Sequence, residues 1–228
     1  MINWLVLNAV ILIVAYLLGA TPSGYWIGSW FYGIDIRQQG SGSTGATNIL
    51  RTLGKLPALV VLVIDILKGV LAIALVRYIY SLVFAQNLTI VAGVTDVDLA
   101  KEWMVILAGL MAIVGHTKSI WIGFKGGKSV ASSLGILLAM SWIVALGTLS
   151  VFIVVLAISR IVSLSSIIAT VAVSGLMFFT GKSLPYEIFA IAGGIYVIWR
   201  HSSNIERLLV GKEPRIGKKL STELEISE

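Results

Sequence analysis

Residues 130–158 read VASSLGILLAMSWIVALGTLSVFIVVLAI, a stretch with no charged side chain. How it folds decides the architecture. A helix crosses the apolar core of a bilayer with about 20 residues. The stretch is therefore either one long span or two short helices turning near Ser141 or Gly147. Other apolar runs cover residues 3–20, 57–84, 103–115, 161–180 and 186–199. Polar segments lie between them at 35–55, 85–102, 116–129, 159–166 and 200–228. The 228-residue chain is 57% hydrophobic and 12% charged, about half the charge fraction of an ordinary soluble domain. This predicts an all-α polytopic membrane protein.

Charge resolves the ambiguity. Arg37, Arg51 and Lys55 fall in the first polar segment, and Lys118, Lys125 and Lys128 in the third. Arg160 stands alone, and Arg200, Arg207, Lys212, Arg215, Lys218 and Lys219 follow the last run. These are 13 of the 17 basic residues, and the positive-inside rule places them all on the cytoplasmic face. The 85–102 segment carries Asp96, Asp98 and Glu102 against Lys101 and is expected outside. Only a broken 130–158 stretch returns the basic tail to the cytoplasm. The reading is thus about seven transmembrane helices, N-terminus outside and C-terminus cytoplasmic. Each half of the broken stretch would be near 14 residues, shorter than an ordinary span. One integral-membrane domain is expected over 1–217, with a charged, frayed tail at 218–228.

Several classes are excluded or disfavoured. The chain has no Cys, which removes disulfides and thiolate chemistry, and its two histidines, His116 and His201, argue against a zinc site. No basic n-region precedes the first apolar run, so Trp4 to Leu18 is expected to be retained. The net charge of +6 is read as topology, because no nucleic-acid module is present. No internal repeat is apparent.

Four polar clusters carry the chemistry. The first is Gly40-Ser41-Gly42-Ser43-Thr44-Gly45-Ala46-Thr47-Asn48, followed by Arg51. Backbone N–H groups beside a guanidinium suit an anion, above all a phosphate. A helix is expected from Ala46 or Thr47, capped by Thr44 or Thr47. The second is Phe124-Lys125-Gly126-Gly127-Lys128-Ser129, at the start of a helix. Its Gly-Lys-Ser misses the P-loop spacing, since that motif needs a glycine where Ile122 stands. Two lysines flanking glycines still suit a second anion site. The third is Arg200-His201-Ser202-Ser203-Asn204 with Arg207, Gly211 and Glu213. His201 and Asn204 share a helix face at i, i+3 and suit the orientation or deprotonation of a hydroxyl. The fourth is Arg160 to Ser166, with Ser163 and Ser165. Asp65 and Lys68 read as a structural i, i+3 pair, and His116 as an interfacial cap. Neither histidine has Asp five positions later, as many glycerolipid acyltransferases do, and no nucleophile elbow is present.

Taken together, the motifs resemble one family. Thr21-Pro22-Ser23-Gly24, the 40–51 segment, Asp65-x-x-Lys68-Gly69, Gly115-His116, Phe124 to Lys128, Ser163 to Ser166 and His201-x-x-Asn204-Ile205-x-Arg207-Leu208 with Gly211 and Glu213 are similar to those of the bacterial acyl-phosphate:glycerol-3-phosphate acyltransferases (PlsY). Ser43 and Thr44 depart from the family's usual Asn-Pro, and Ser129 from its usual Gly.

The resemblance implies a multi-pass enzyme of the bacterial plasma (inner) membrane with its active site facing the cytoplasm. It would move a fatty acyl group from acyl phosphate to the 1-hydroxyl of glycerol 3-phosphate, giving lysophosphatidic acid and phosphate. No cofactor, metal or obligate protein partner is implied, and membrane lipid is the surroundings. An acyl phosphate is already activated, so direct attack without an acyl-enzyme is expected, helped by positioning and charge stabilisation. By this resemblance Ser41, Gly42 and Arg51 hold the acyl phosphate or its carbonyl. Lys125, Gly126, Gly127 and Lys128 cradle glycerol 3-phosphate, and His201 and Asn204 orient its hydroxyl. Ser41, Arg51, Lys128, His201 and Asn204 are the expected catalytic set. Gly40, Gly42, Ser43, Gly45, Thr47, Asn48, Lys125, Gly126, Gly127, Ser163, Ser165, Arg160 and Arg207 are expected to bind substrate. The residues leave open which phosphate meets which cluster. The competing reading is a transporter of a phosphorylated metabolite, which also uses cations and glycine-broken helices.

Overall fold

The computed structural model describes residues 4–85 and 96–216. Helix α1 (Trp4–Ala20) runs into α2 (Ser23–Tyr32) through a 41° bend. Pro22 supplies no amide hydrogen and keeps Thr21 out of helical geometry, which is why the chain bends there. A short α3 (Ala46–Thr52) precedes α4 (Lys55–Ala85). Then follow α5 (Val97–Thr117), α6 (Val130–Met140), α7 (Trp142–Ser159), α8 (Val162–Phe179), α9 (Leu184–Trp199) and α10 (Ser202–Leu209).

The 130–158 stretch breaks at Ser141, one of the two expected positions. Ser141 is extended (φ −155°, ψ 101°) and closes α6 through its N–H to the Leu137 carbonyl. The pieces are unequal, 11 and 18 residues, rather than two near 14. Two expectations need correction. Residues 97–102 are not loop but the first turns of α5, capped by Asp96, whose carboxylate accepts from the Leu99 N–H at 2.9 Å. Helix α3 begins at Ala46 as expected, but Gly45 holds the cap position and no threonine side chain bonds there. The 218–228 tail lies outside the described residues.

Among the described residues three helices are long and apolar enough to cross a bilayer, or four if α1 and α2 form one bent span. Large apolar side chains such as Ile158, Phe179 and Leu5 are exposed, as expected of helices bathed in lipid. Because lipid provides no hydrophobic drive between helices, close contact comes from small residues. A side chain on Gly69 would strike the Ser132 carbonyl, and one on Gly135 the Ile66 carbonyl, so α4 and α6 touch backbone to backbone. Gly19 and Gly115 do the same between α1 and α5. The interior is filled by Ile11, Ile73, Tyr80, Ile106, Ile136, Met177 and Phe189 among others.

Candidate active site

The four polar clusters come together at one end of the helices and surround two adjoining cavities. The larger, about 440 Å³, is mainly apolar; α4, α6, α7, α8 and α9 line it with residues such as Leu134, Leu149, Phe152, Val173 and Phe189. The smaller, about 290 Å³, is polar, and its wall includes Gly42, Gly126, Lys128, Arg200 and Arg207. Ser41, Ser43 and Lys128 border both. An apolar and a cationic compartment thus meet at three side chains from two distant loops.

The 39–45 loop is held by Asn48. Its Oδ1 accepts from the Ser41 N–H at 2.8 Å, and its Nδ2 donates to the carbonyls of Ile36, Gln39 and Ser43. Asn48, expected to bind substrate, is therefore engaged with backbone and shapes the loop. The expectation of bare backbone donors needs the same correction: the N–H groups of Ser41, Gly42 and Gly45 bond within the loop. The Ser43 hydroxyl accepts from Gly45 N–H, a turn-forming bond that serinyl and threonyl hydroxyls make locally. Arg51, half-buried on the edge of the larger cavity, has no hydrogen-bond or ion-pair partner among the described residues. Gly45 and Thr47 line the same cavity, while Gly40 lies behind Asn48 and lines neither.

The second loop places Lys128. Its ammonium donates to Asn204 Oδ1. Burial pushes Lys128 down to about 8, assisted by the positive charges of Arg207, Arg51 and Arg200. Gly126 lines the polar cavity, whereas Gly127, expected to bind substrate, is buried and lines neither; its carbonyl accepts from Arg200 Nη2 at 3.2 Å. Lys125 is exposed and lines neither cavity. Ser129 adopts a left-handed conformation, φ 59° and ψ 14°.

The third cluster is organised by Glu213, buried at 7% exposure. Its Oε1 accepts from Ser163 Oγ at 2.8 Å and Asn204 Nδ2 at 2.6 Å, and its Oε2 accepts from Arg207 Nε at 2.7 Å. Burial alone would push Glu213 up, but these bonds from Asn204, Ser163 and Arg207 hold it below the usual carboxylate range. With its amide nitrogen tied to Glu213, Asn204 must present oxygen to Lys128. His201 is buried and borders the larger cavity. Its Nδ1 lies 2.8 Å from the Val197 carbonyl. A carbonyl can only accept, so Nδ1 bears the hydrogen and Nε2 is left as an acceptor. Burial pushes His201 down to about 4, against the Val197 bond and with the charge of Lys128. The ring is neutral at pH 7.

Not every expected residue joins the site. Ser163 does, through Glu213, but Ser165 bonds the Ile161 carbonyl inside its own helix and borders neither cavity. Arg160 caps α7 in a left-handed conformation, is exposed, and borders neither. Conversely, Arg200, quoted with the third cluster but given no substrate role, borders the polar cavity with its buried Nε unpaired among the described residues. His116, expected as an interfacial cap, is 6% exposed and borders the larger cavity with Asp65.

Among the described residues every element is a helix, and a cationic pocket adjoins an apolar groove, an arrangement suited to joining a phosphorylated polar molecule to an acyl chain. Comparison with known proteins narrows this. The family model for glycerol-3-phosphate acyltransferase matches residues 9–211. Similar curated proteins include a glycerol-3-phosphate acyltransferase of Trichodesmium erythraeum, 86% identical over the whole of both chains. Another, from a Nostoc species, is 60% identical over 98% of each chain. Crystal structures of PlsY (YgiH), an integral membrane glycerol 3-phosphate acyltransferase, align at TM-scores of 0.77 and 0.75 with 35% identity. They cover 92% of this chain, and one is the glycerol 3-phosphate form, the other the lysophosphatidic acid form. The chain belongs to the glycerol-3-phosphate acyltransferase family.

Proposed function

We propose that this enzyme acylates the 1-hydroxyl of glycerol 3-phosphate directly from an acyl phosphate. The observation that carries the reading is the pair of adjoining cavities of opposite character that share Ser41, Ser43 and Lys128. Glycerol 3-phosphate sits in the polar cavity with its phosphate among Lys128, Arg200, Arg207 and the Gly126 backbone. The acyl chain lies in the apolar cavity. The acyl phosphate group stands near Ser41 and Arg51, where the unpaired guanidinium meets its charge.

In the reaction the substrate oxygen attacks the acyl carbon. The carbon–oxygen bond to phosphate breaks, and phosphate leaves with the electron pair. Neutral His201 accepts a hydrogen bond from the attacking hydroxyl at Nε2, and the departing phosphate takes the proton. Lys128 and Arg51 stabilise the charge that builds on the phosphoryl oxygens. The protein's work is positioning and charge, which together account for most of what an activated donor needs.

The membrane reading accompanies this one. Helices α1 and α4 to α9 form seven spans in the bacterial inner membrane, with the N-terminus outside and both cavities facing the cytoplasm. The distribution of basic residues supports it, because Arg51, Lys128, Arg200 and Arg207 border the cavities.

Purified protein given palmitoyl phosphate and glycerol 3-phosphate is expected to release lysophosphatidic acid and inorganic phosphate in equal amounts. Activity with acyl thioesters but none with acyl phosphate overturns the donor assignment. A covalent acyl-Ser41 adduct in the mass spectrum overturns direct attack.

A further inference from the structure

Asp65, Lys68 and His116 form a polar cluster inside the helices, at 1%, 4% and 6% exposure. Three hydrogens on the Lys68 ammonium meet three acceptors: Asp65 Oδ1 at 2.8 Å, His116 Nδ1 at 2.8 Å and the Thr21 carbonyl at 3.0 Å. Asp65 Oδ1 also accepts from Ser23 Oγ at 2.8 Å. The bend between α1 and α2 is thus tied through α4 to the end of α5. Buried ion pairs contribute little net stability over apolar packing, and ionisable groups at membrane depth ordinarily serve function.

What this cluster serves is visible on the far side of the imidazole. A ring nitrogen that accepts from an ammonium carries no hydrogen, so the His116 hydrogen is on Nε2. That edge lies against Gly127: a methyl placed there would meet Nε2 before any other atom. The His116 carbonyl accepts from the Gly127 N–H at 3.2 Å, and a methyl on Gly126 would strike the same carbonyl. From the opposite side Arg200 holds the Gly127 carbonyl. The glycine pair is therefore sandwiched between a fixed ring and a guanidinium, and Lys128 follows it immediately.

We infer that Asp65, Lys68 and His116 are positioning residues that fix the ring of His116 under Gly126–Gly127 and so set where Lys128 and the glycine backbone meet glycerol 3-phosphate. The inference rests on the proposed placement of glycerol 3-phosphate at this loop. It makes Lys68 a specificity residue for the polar substrate, although Lys68 borders neither cavity.

The test is steady-state kinetics in detergent with each substrate varied in turn. Lys68→Met is expected to raise the KM for glycerol 3-phosphate at least tenfold, with kcat within about threefold and the KM for palmitoyl phosphate unchanged. Gly127→Ala is expected to do the same. In a His116→Ala background, which frees the space the methyl needs, Gly127→Ala should cost less than twofold more, because the two residues act as one unit. If His116→Ala does not fold as judged by gel filtration, His116→Asn gives the second background; it shortens the ring and keeps an acceptor for Lys68.

Multiplying losses in the double variant overturn the inference. So does a Lys68→Met enzyme whose two KM values rise together, as a loosened structure would give. Lys128→Met separates this from the underlying reading. If it raises the KM for glycerol 3-phosphate while Lys68→Met does not, the positioning role is wrong and the loop placement stands. If neither variant moves that KM, the loop placement itself is wrong.

Discussion

Lys128 sits where chemistry and titration meet. Burial and three neighbouring guanidiniums lower it to about 8, so its proton is lost two to three pH units earlier than in water. Deprotonation removes a cation from the polar cavity. Between pH 7 and 9 the KM for glycerol 3-phosphate should therefore rise, with the midpoint near 8. In a Lys128→Met variant the rise should be absent and the KM high throughout, since a hydrogen bond to a charged group is worth about 1.5–3 kcal/mol. His201 predicts the opposite limb. Held near 4 by burial, it stays neutral through pH 5.5, so kcat at saturating substrates should be flat from pH 7 to 5.5. A kcat that halves at pH 6.5 would show His201 titrating as in water. Both residues stood out in the sequence, because a lysine among glycines and a histidine three from an amide are unusual in an apolar chain. Glu213 was quoted with its motif but given no role. Its partners Ser163, Asn204 and Arg207 come from two separate segments, and no helical spacing links Ser163 to Glu213.

At the scale of the element, Ser129 shows how a departure from a motif becomes a physical statement. It stands where the family commonly has Gly, and it adopts a left-handed conformation, which costs a side-chain-bearing residue about 1–2 kcal/mol. Its hydroxyl makes no cap bond to α6. Ser129→Gly should change stability by less than about 1 kcal/mol, because relief of the left-handed strain is offset by the greater freedom of glycine in the unfolded chain and by loss of the bond from the Ser129 hydroxyl to the Lys128 carbonyl at 2.8 Å. Thermal unfolding in detergent reads this directly, and a large shift of the midpoint in either direction would contradict it. The long apolar elements were legible from composition alone, α4 and α8 to within two residues. The break at Ser141 was legible because only an even split of the crossings returned the basic tail to one side. The interior of the 40–48 loop was not. Its glycines and hydroxyls advertise an anion site, but one buried amide, Asn48, takes up most of its backbone groups, and nothing in the spacing announces that. Helix α2 was missed for a related reason: Gly24, Gly28 and Pro22 interrupt the apolar pattern, while tertiary contact holds the helix.

At the scale of the whole molecule, the arrangement depends on which face of the bilayer each connection occupies. The four clusters can only form one site if the segments before α3, before α6, between α7 and α8 and after α9 share a side. Two crossings between each successive pair of segments satisfy this (α4 and α5, α6 and α7, α8 and α9), and with α1 they make the proposed seven; an odd number between any pair would carry its two segments to opposite faces. The chain has no natural cysteine, so single introduced thiols report topology without background. Lys182→Cys, between α8 and α9, should react with a membrane-impermeant maleimide applied to intact cells. Lys118→Cys and Lys212→Cys should react only after the membrane is permeabilised. Lys212 and Lys118 reporting opposite sides would separate Asn204 from Lys128, dissolve the shared cavity wall and remove the basis for a two-substrate site. Labelling of Lys118→Cys and Lys212→Cys from outside, with Lys182→Cys protected until the membrane is permeabilised, would invert the orientation while leaving the site whole. In that case glycerol 3-phosphate would have to arrive from the exterior, and the charge distribution that places Arg51, Lys128, Arg200 and Arg207 on one face would run against the positive-inside rule.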